Sequence, residues 1–284
     1  MKDIKWKYYN HALLPTTAPH EKVDETLITS GALWKQNRGG GKPLFIRWTT
    51  DFDCQEETEW WYCIKDTPFD INTLKKKRRY EINKGKKNFE VNEINPLDFQ
   101  DDIYNVYKES VNSYSKQSYR LLSKEKFITE IKQKENVKIY GAFEKKTNKL
   151  CSYALLIIEK NYINFSVLKS IPAYEKFGVN AAIVSQILED FNKDLNEHFY
   201  ICDGERNVLH ETSFQNYLEK YFGFRKAYCR LNIEYVFWMR IIVNILFPLR
   251  KVIKKLDNRI LFRKVNALLY MEELKRKSFN KGEK

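Results

Sequence analysis

The order of secondary-structure signals after residue 100 constrains the fold of this chain more than any other feature. Two helical patterns come first, and then three strand-like runs joined by short polar links that are typical of hairpins: 137–143, 151–159 and 162–168. An apolar stripe at helical spacing from Phe177 to Leu195 predicts a long helix. A strand at 199–202, a helix that ends at Gly223 and strand character over 225–235 follow. The order α-α-β-β-β-α-β-α-β predicts an α/β (α+β) arrangement with a mixed sheet flanked by helices.

The first 98 residues give a weaker pattern. Strands are expected at 44–49, 59–65 and 89–94, and a helix is expected from about Thr73 to a stop at Gly85. The residues before about position 50 read as irregular. We therefore divide the chain into three parts: an N-terminal part (1–98), a central domain (99–236) and a helical extension (237–284).

Composition excludes several classes of protein. With 43% hydrophobic residues in 284, the chain is long and apolar enough for an ordinary core, and a mean hydropathy of −0.59 argues against a multi-span membrane protein. Five scattered cysteines do not form a disulfide framework or a metal-ligand pattern. From this cysteine spacing we expect no metal site. The N-terminus lacks the apolar stretch of a secretory signal, so we expect a cytoplasmic protein.

The net charge of +13 is concentrated in two segments. Residues 75–87 carry +7, residues 240–284 carry +9, and the remainder of the chain is mildly acidic at −3. Local basic charge favours an anionic partner such as a phosphate-bearing donor, a nucleic acid or a membrane surface. A solvated helix face is the plain alternative for either segment.

Three stretches resemble the GNAT acyltransferase fold, and within it the FemAB-like branch associated with polysaccharides and the cell envelope. The three stretches are Lys77-Arg-Arg-Tyr-Glu-Ile-Asn-Lys-Gly-Lys-Lys87, Phe177-Gly-Val-Asn-Ala-Ala182, and Tyr200-Ile-Cys-Asp-Gly204 with the following Tyr217-Leu-Glu-Lys-Tyr-Phe-Gly-Phe-Arg225. The resemblance covers about residues 60–236. It implies a GNAT-like domain preceded by a partial second unit of the same kind.

By this resemblance the chain is an N-acyltransferase. The donor would be an acyl-CoA such as acetyl-CoA, or an aminoacyl-tRNA, and nucleic acid would be bound only in the second case. The acceptor would be the amine of an amino sugar or of a lipid-linked cell-envelope precursor. Glu175 stands where conventional GNAT proteins carry the Gln or Arg of their pyrophosphate-binding turn. Either the register differs there or coenzyme A is not the donor.

Candidate site residues follow from these patterns. Backbone N–H groups at the start of the long helix can bind a phosphate or a carbonyl oxygen. We therefore predict that the donor binds at Phe177, Gly178, Val179, Asn180 and Ala181. His210 is the candidate base, with Asp203 or Glu211 orienting it. The resemblance makes Tyr217 the general acid. Each of these residues also suits a structural role, such as a helix start, a turn cap or a core aromatic residue.

The remaining candidates concern anionic and acceptor groups. Arg78, Arg79 and Lys84 are predicted to hold an anionic part of the substrate, and His11 to line the acceptor site. Rival functions are a nucleic-acid-binding module and a catalytically inactive, membrane-associated scaffold of the same fold.

The C-terminal segment has its own signature. Residues 236–249 are apolar but too short and too interrupted to span a bilayer, and a basic amphipathic helix follows. We expect either peripheral attachment to the inner face of an anionic membrane, or packing of these helices on the domain or on a second copy.

Overall fold

The computed structural model describes residues 6–35, 41–113, 121–207, 214–256 and 260–279. The strands of this structure, in chain order, are β1 (Trp6–Tyr9), β2 (Ala12–Pro15), β3 (Phe45–Thr50), β4 (Trp60–Lys65), β5 (Phe89–Ile94), β6 (Val137–Glu144), β7 (Leu150–Ile158), β8 (Tyr162–Ser170), β9 (Tyr200–Glu205) and β10 (Arg225–Tyr235). The α-helices are α1 (Thr26–Thr29), α2 (Lys76–Asn88), α3 (Gln100–Asn112), α4 (Lys124–Lys132), α5 (Pro172–Glu175), α6 (Val179–Phe191), α7 (Phe214–Phe222), α8 (Phe237–Leu246), α9 (Arg250–Ile253) and α10 (Ile260–Phe279).

The chain forms two compact units, each built from more than one stretch of sequence. The first unit comprises Met1–Tyr62, Glu205–Thr212 and Lys226–Lys284, and the second comprises Cys63–Gly204 and Ser213–Arg225. Strand β4 runs from the first unit into the second.

The first unit holds a mixed sheet. Strands β1 and β2 form an antiparallel hairpin, β2 pairs in parallel with β3, and β3 pairs antiparallel with β10. Helices α8 and α10 contribute Val243 and Leu274 to a buried cluster that includes Phe45, Trp60 and Leu231. The Tyr235 hydroxyl donates to the buried Glu272 of α10 at 2.9 Å. The C-terminal helices are therefore part of this core.

The second unit holds an antiparallel meander with one parallel addition. Strands β5, β6, β7 and β8 pair antiparallel in sequence order, and β8 then pairs in parallel with β9. The predicted hairpins of this meander are confirmed, and the predicted bounds of its three hairpin strands β6, β7 and β8 agree with the structure to within two residues. A parallel pair needs a crossover connection, which the chain from α5 through α6 provides.

Helices cover both faces of this second sheet. Successive residues of a strand point to opposite faces. Ile139 of β6 packs in a cluster with Ile103 of α3 and Phe127 of α4. Its neighbour Tyr140 points the other way and donates to Asp190 of α6 at 2.8 Å.

The structure differs from the sequence-based prediction at three points. Gly85 does not end a helix but lies buried within α2, which continues to Asn88. Residues before position 50 are not all irregular, because they include the β1–β2 hairpin. Its strands are short and its turn residues Asn10 and His11 have positive φ, so the hairpin is hard to recognise from sequence. The strand predicted at 199–202 continues through Asp203 to Glu205.

Within the described residues, no helix combines the length and the apolar character needed to cross a bilayer.

Candidate functional site

The two strands β8 and β9 separate part-way along their length. Their parallel ladder joins only three residue pairs and ends at Asn164 and Cys202, although β8 continues to Ser170 and β9 to Glu205. A bulge lies at the same level, because Leu155 of β7 pairs with Val167 while Leu156 pairs with Phe165, which leaves the exposed Ser166 between them. A bulge bends its strand away from a neighbour. Beyond Asn164, the described residues show no ladder between β8 and β9.

Asp203 is the first residue of β9 past this separation. Burial raises the pKa of Asp203 to about 7, and a hydrogen bond with the Gln215 side chain acts in the opposite direction. Gln215 lies buried in the first turn of α7. A carboxyl group with a pKa near neutrality can accept a proton at physiological pH and release it again, as a general base must.

Helix α7 also carries Tyr217, whose ring stacks on that of Phe214 with centroids 6.1 Å apart. The Phe214 ring packs edge-on against Phe165 of β8, with ring centroids 5.9 Å apart, and this contact ties α7 to the bulged strand. Burial, Tyr221 and the charge of Glu81 raise the pKa of Tyr217, so its hydroxyl stays protonated across the physiological range. Tyr217 is therefore suited to donate a proton or a hydrogen bond.

The start of α6 is packed against α2. Gly178 is the N-cap of α6 with φ +86°, and a Cβ at this position would come within 3.0 Å of Gly85 Cα and 3.1 Å of the Glu81 carbonyl oxygen. A Cβ on Gly85 would in turn lie 2.9 Å from Ala182 N. Both glycines are thus required by a close approach of two helix backbones.

The packing of α2 on the start of α6 decides whether a coenzyme A pyrophosphate can bind there. A pyrophosphate needs open backbone N–H groups there, whereas α2 covers this turn and the side chains of Val179 and Ala181 are buried. Phe177 is exposed, and the acidic Glu175 lies in the preceding short helix. The residues of this turn do not fit a pyrophosphate.

Asn180 is held by the end of β8. The Ser170 hydroxyl donates to Asn180 Oδ1 at 2.5 Å and lies 2.7 Å from the Ser152 hydroxyl, and both serines are buried. Asn180 therefore anchors α6 to β8 beside the separated strands.

Helix α2 brings the predicted anion-binding residues into the same unit. Arg78, Arg79 and Lys84 are partly buried, and Arg79 donates to the carbonyl of Asn72 at 3.3 Å. Lys86 forms an ion pair with Glu189 of α6. Because Glu81 of α2 neighbours both Gly178 and Tyr217, this helix connects the start of α6 with α7.

Three predicted residues are not joined to this group by the structure. His11 belongs to the first unit, is exposed, and lies 3.1 Å from the Tyr8 hydroxyl through its Nδ1 atom. His210 and Glu211 lie outside the described residues. Within the described part of the chain, no group of three or more His, Cys, Asp and Glu residues is arranged to hold a metal ion.

Sequence reasoning misses Gln215 and Ser166. Gln215 is a polar residue on the buried face of an amphipathic helix, which is the signal that would find it. The bulge at Ser166 leaves no mark in a single sequence.

Comparison with known proteins gives matches among solved structures. No family model matches this sequence, and neither does any curated protein. The structure of the "C-terminal Domain (DUF2156) of Putative Lysylphosphatidylglycerol Synthetase" from Agrobacterium fabrum matches with a TM-score of 0.50 and 8% identity, over 85% of this chain and 84% of that chain. At 8% identity this match shows the fold alone. The mixed sheet flanked by helices confirms the predicted fold class.

Two further matches are more distant. FemX matches with a TM-score of 0.45 and 8% identity, over 72% of this chain and 74% of that chain. A GCN5-related glucosamine N-acetyltransferase region of a fungal multi-domain GH3 β-N-acetylglucosaminidase matches with a TM-score of 0.33 and 16% identity. That match covers 40% of this chain, which spans only 13% of the fungal chain. At these identities the likeness concerns the fold, and the function has to be argued from the site.

Proposed function

We propose that this protein is an N-acyltransferase that moves an acyl or aminoacyl group from an activated carbonyl donor to an amine. The observation that carries the proposal is the separation of β8 from β9 at Asn164 and Cys202, with Asp203 at the opening. Where two strands separate, backbone N–H donors along a strand edge can hold a carbonyl oxygen and stabilise the negative charge that develops on it. The amine would approach the carbonyl carbon from the side of Asp203.

The chemistry assigns one role to each group. The amine nitrogen attacks the carbonyl carbon and forms the new C–N bond, and the C–S or C–O bond to the leaving group breaks. Asp203 takes the amine proton, and Tyr217 gives its proton to the leaving sulfur or oxygen. His210 and Glu211 remain candidates for relaying the amine proton. No covalent enzyme intermediate is needed.

The donor is proposed as either an aminoacyl-tRNA or an acyl-CoA held away from the start of α6. The covered turn at Gly178 argues against conventional pyrophosphate binding there. The basic residues Arg78, Arg79 and Lys84 of α2 are proposed to bind the anionic part of the donor or acceptor. For the acceptor we propose the amine of an amino sugar or of a cell-envelope precursor.

The proposal is tested by incubating the protein with each donor class and a panel of amines. The donors are acetyl-CoA and charged tRNA, the amines are amino sugars and amine-bearing envelope precursors, and amide formation is read by mass spectrometry. We expect a new amide with the wild type and with Asp194→Asn, an exposed carboxylate of the same unit, but not with Asp203→Asn. Equal product from Asp203→Asn would exclude Asp203 as the base.

A further inference from the structure

Helices α8 and α9, with the 3-10 turns that follow each of them, expose a continuous set of large apolar side chains. We call this set the C-terminal apolar stripe: Phe237, Trp238, Ile241, Ile242, Ile245, Leu249, Val252 and Leu256. Its most exposed members are Phe237 at 78%, Ile245 at 63% and Val252 at 61%. A contiguous apolar surface of this kind marks an interaction site rather than ordinary surface composition.

The stripe is not the face by which these helices join the core. Val243 lies two residues from both Ile241 and Ile245, on the far side of the helix, and it is buried in the first unit's apolar cluster. Leu274 of α10 is buried in the same cluster. The segment is thus held in place by one face and leaves the other unoccupied among the described residues.

The charges beside the stripe have one sign. Residues 237–256 contain five basic residues and no acidic ones. Arg240 pairs with Glu234 and Arg250 with Glu273. The exposed Lys251, Lys254 and Lys255 form no ion pair among the described residues. The apolar surface is therefore bordered by three lysines that have no ion-pair partner among the described residues.

We propose that the C-terminal apolar stripe is the surface by which this protein lies on an anionic lipid bilayer. Its apolar side chains enter the boundary between headgroups and acyl chains, and the three lysines contact the anionic headgroups. A second copy of this chain is a poorer occupant, because docking through the same face brings two sets of like-charged lysines to one interface. The binding surface is independent of the transferase chemistry proposed above.

The test is flotation of the full-length protein with vesicles of phosphatidylcholine alone and of phosphatidylcholine mixed with phosphatidylglycerol. We expect binding to the mixed vesicles only. Lys251→Gln/Lys254→Gln/Lys255→Gln should weaken it by about 100-fold, or about fivefold for each lysine. Ile245→Ser/Leu249→Ser should weaken it at least about tenfold, because two exposed apolar side chains no longer enter the lipid.

Matched controls separate this proposal from general electrostatic attraction. Lys132→Gln/Lys134→Gln/Lys146→Gln removes three exposed charges elsewhere, and Leu97→Ser removes an equally exposed apolar side chain. Both controls should bind like the wild type, and circular dichroism should show all variants folded. Absence of vesicle binding by the wild type overturns the proposal. So does an equal loss in the control triple variant, or a dimer in light scattering that Ile245→Ser/Leu249→Ser dissociates.

Discussion

At the scale of single residues, Asp203 couples the candidate site to the stability of the protein. Its pKa is raised to about 7, so the folded protein retains a proton between about pH 4 and pH 7 that the unfolded chain has released. The native state therefore loses stability as pH rises through this window, and the loss is complete once Asp203 is ionised. Gln215 limits the loss by hydrogen bonding to the carboxylate.

Asp203→Asn should remove this dependence. Asparagine stays neutral, so the difference in unfolding free energy between variant and wild type should move in favour of the variant from about pH 4 to pH 7 and remain constant above about pH 8. Urea unfolding across this range measures it. A difference that does not change with pH would mean that Asp203 titrates as an ordinary exposed carboxylate.

Tyr217 and Tyr221 form a matched pair for testing the general acid. Their rings lie 4.9 Å apart on the same helix, but Tyr217 alone is assigned a proton transfer. Tyr217→Phe should lower kcat by about 10²-fold or more, as expected for the loss of a general acid, and Tyr221→Phe should leave it within about twofold. Steady-state kinetics on both variants checks this. Equal effects would assign Tyr217 to packing.

At the scale of elements, the contact between α2 and α6 depends on two glycines. Gly85→Ala improves helix propensity, yet its methyl group meets backbone atoms of Gly178 and Ala182, which cannot rotate away. We expect a loss of about 1–3 kcal/mol in unfolding free energy from overpacking. Asn83→Ala, on the exposed side of the same helix, should be neutral or slightly stabilising. Thermal melts of the two variants compare them, and a Gly85→Ala as stable as Asn83→Ala would contradict the close approach.

Elements with a regular pattern were predictable from sequence, and contacts between elements were not. The meander from β6 to β8 consists of apolar, strand-like runs joined by short polar links, which predict its strands, and α7 ends before Gly223 as expected. The sequence predicts a helix stop at Gly85 because a glycine that ends a helix and one that admits a neighbouring helix look alike in sequence. The Ser166 bulge and the bond between Asp203 and Gln215 depend on register and tertiary contact, which a single sequence does not encode locally.

At the scale of the whole molecule, the C-terminal helices combine a structural face with an exposed face. Leu274 is buried in the first unit's core, whereas Ile245 is largely exposed. Leu274→Ala should cost about 2–5 kcal/mol of unfolding free energy, and Ile245→Ala should stay within about 0.5 kcal/mol of wild type. Urea titration of the two variants measures this. Similar stabilities would mean that α10 is a dispensable tail.

We expect acyl transfer to take place at the opening between β8 and β9, with Asp203 as the base. The most direct test is the pH profile of kcat/KM, measured with the donor and amine that give product, for the wild type and Asp203→Asn. Ionisation of the acceptor amine affects both pH profiles, so only the ratio of the two kcat/KM values reports the ionisation of Asp203. We predict that the wild-type advantage grows through about pH 7 to a plateau of about 10²–10⁴-fold. Profiles that coincide across this range would contradict the account.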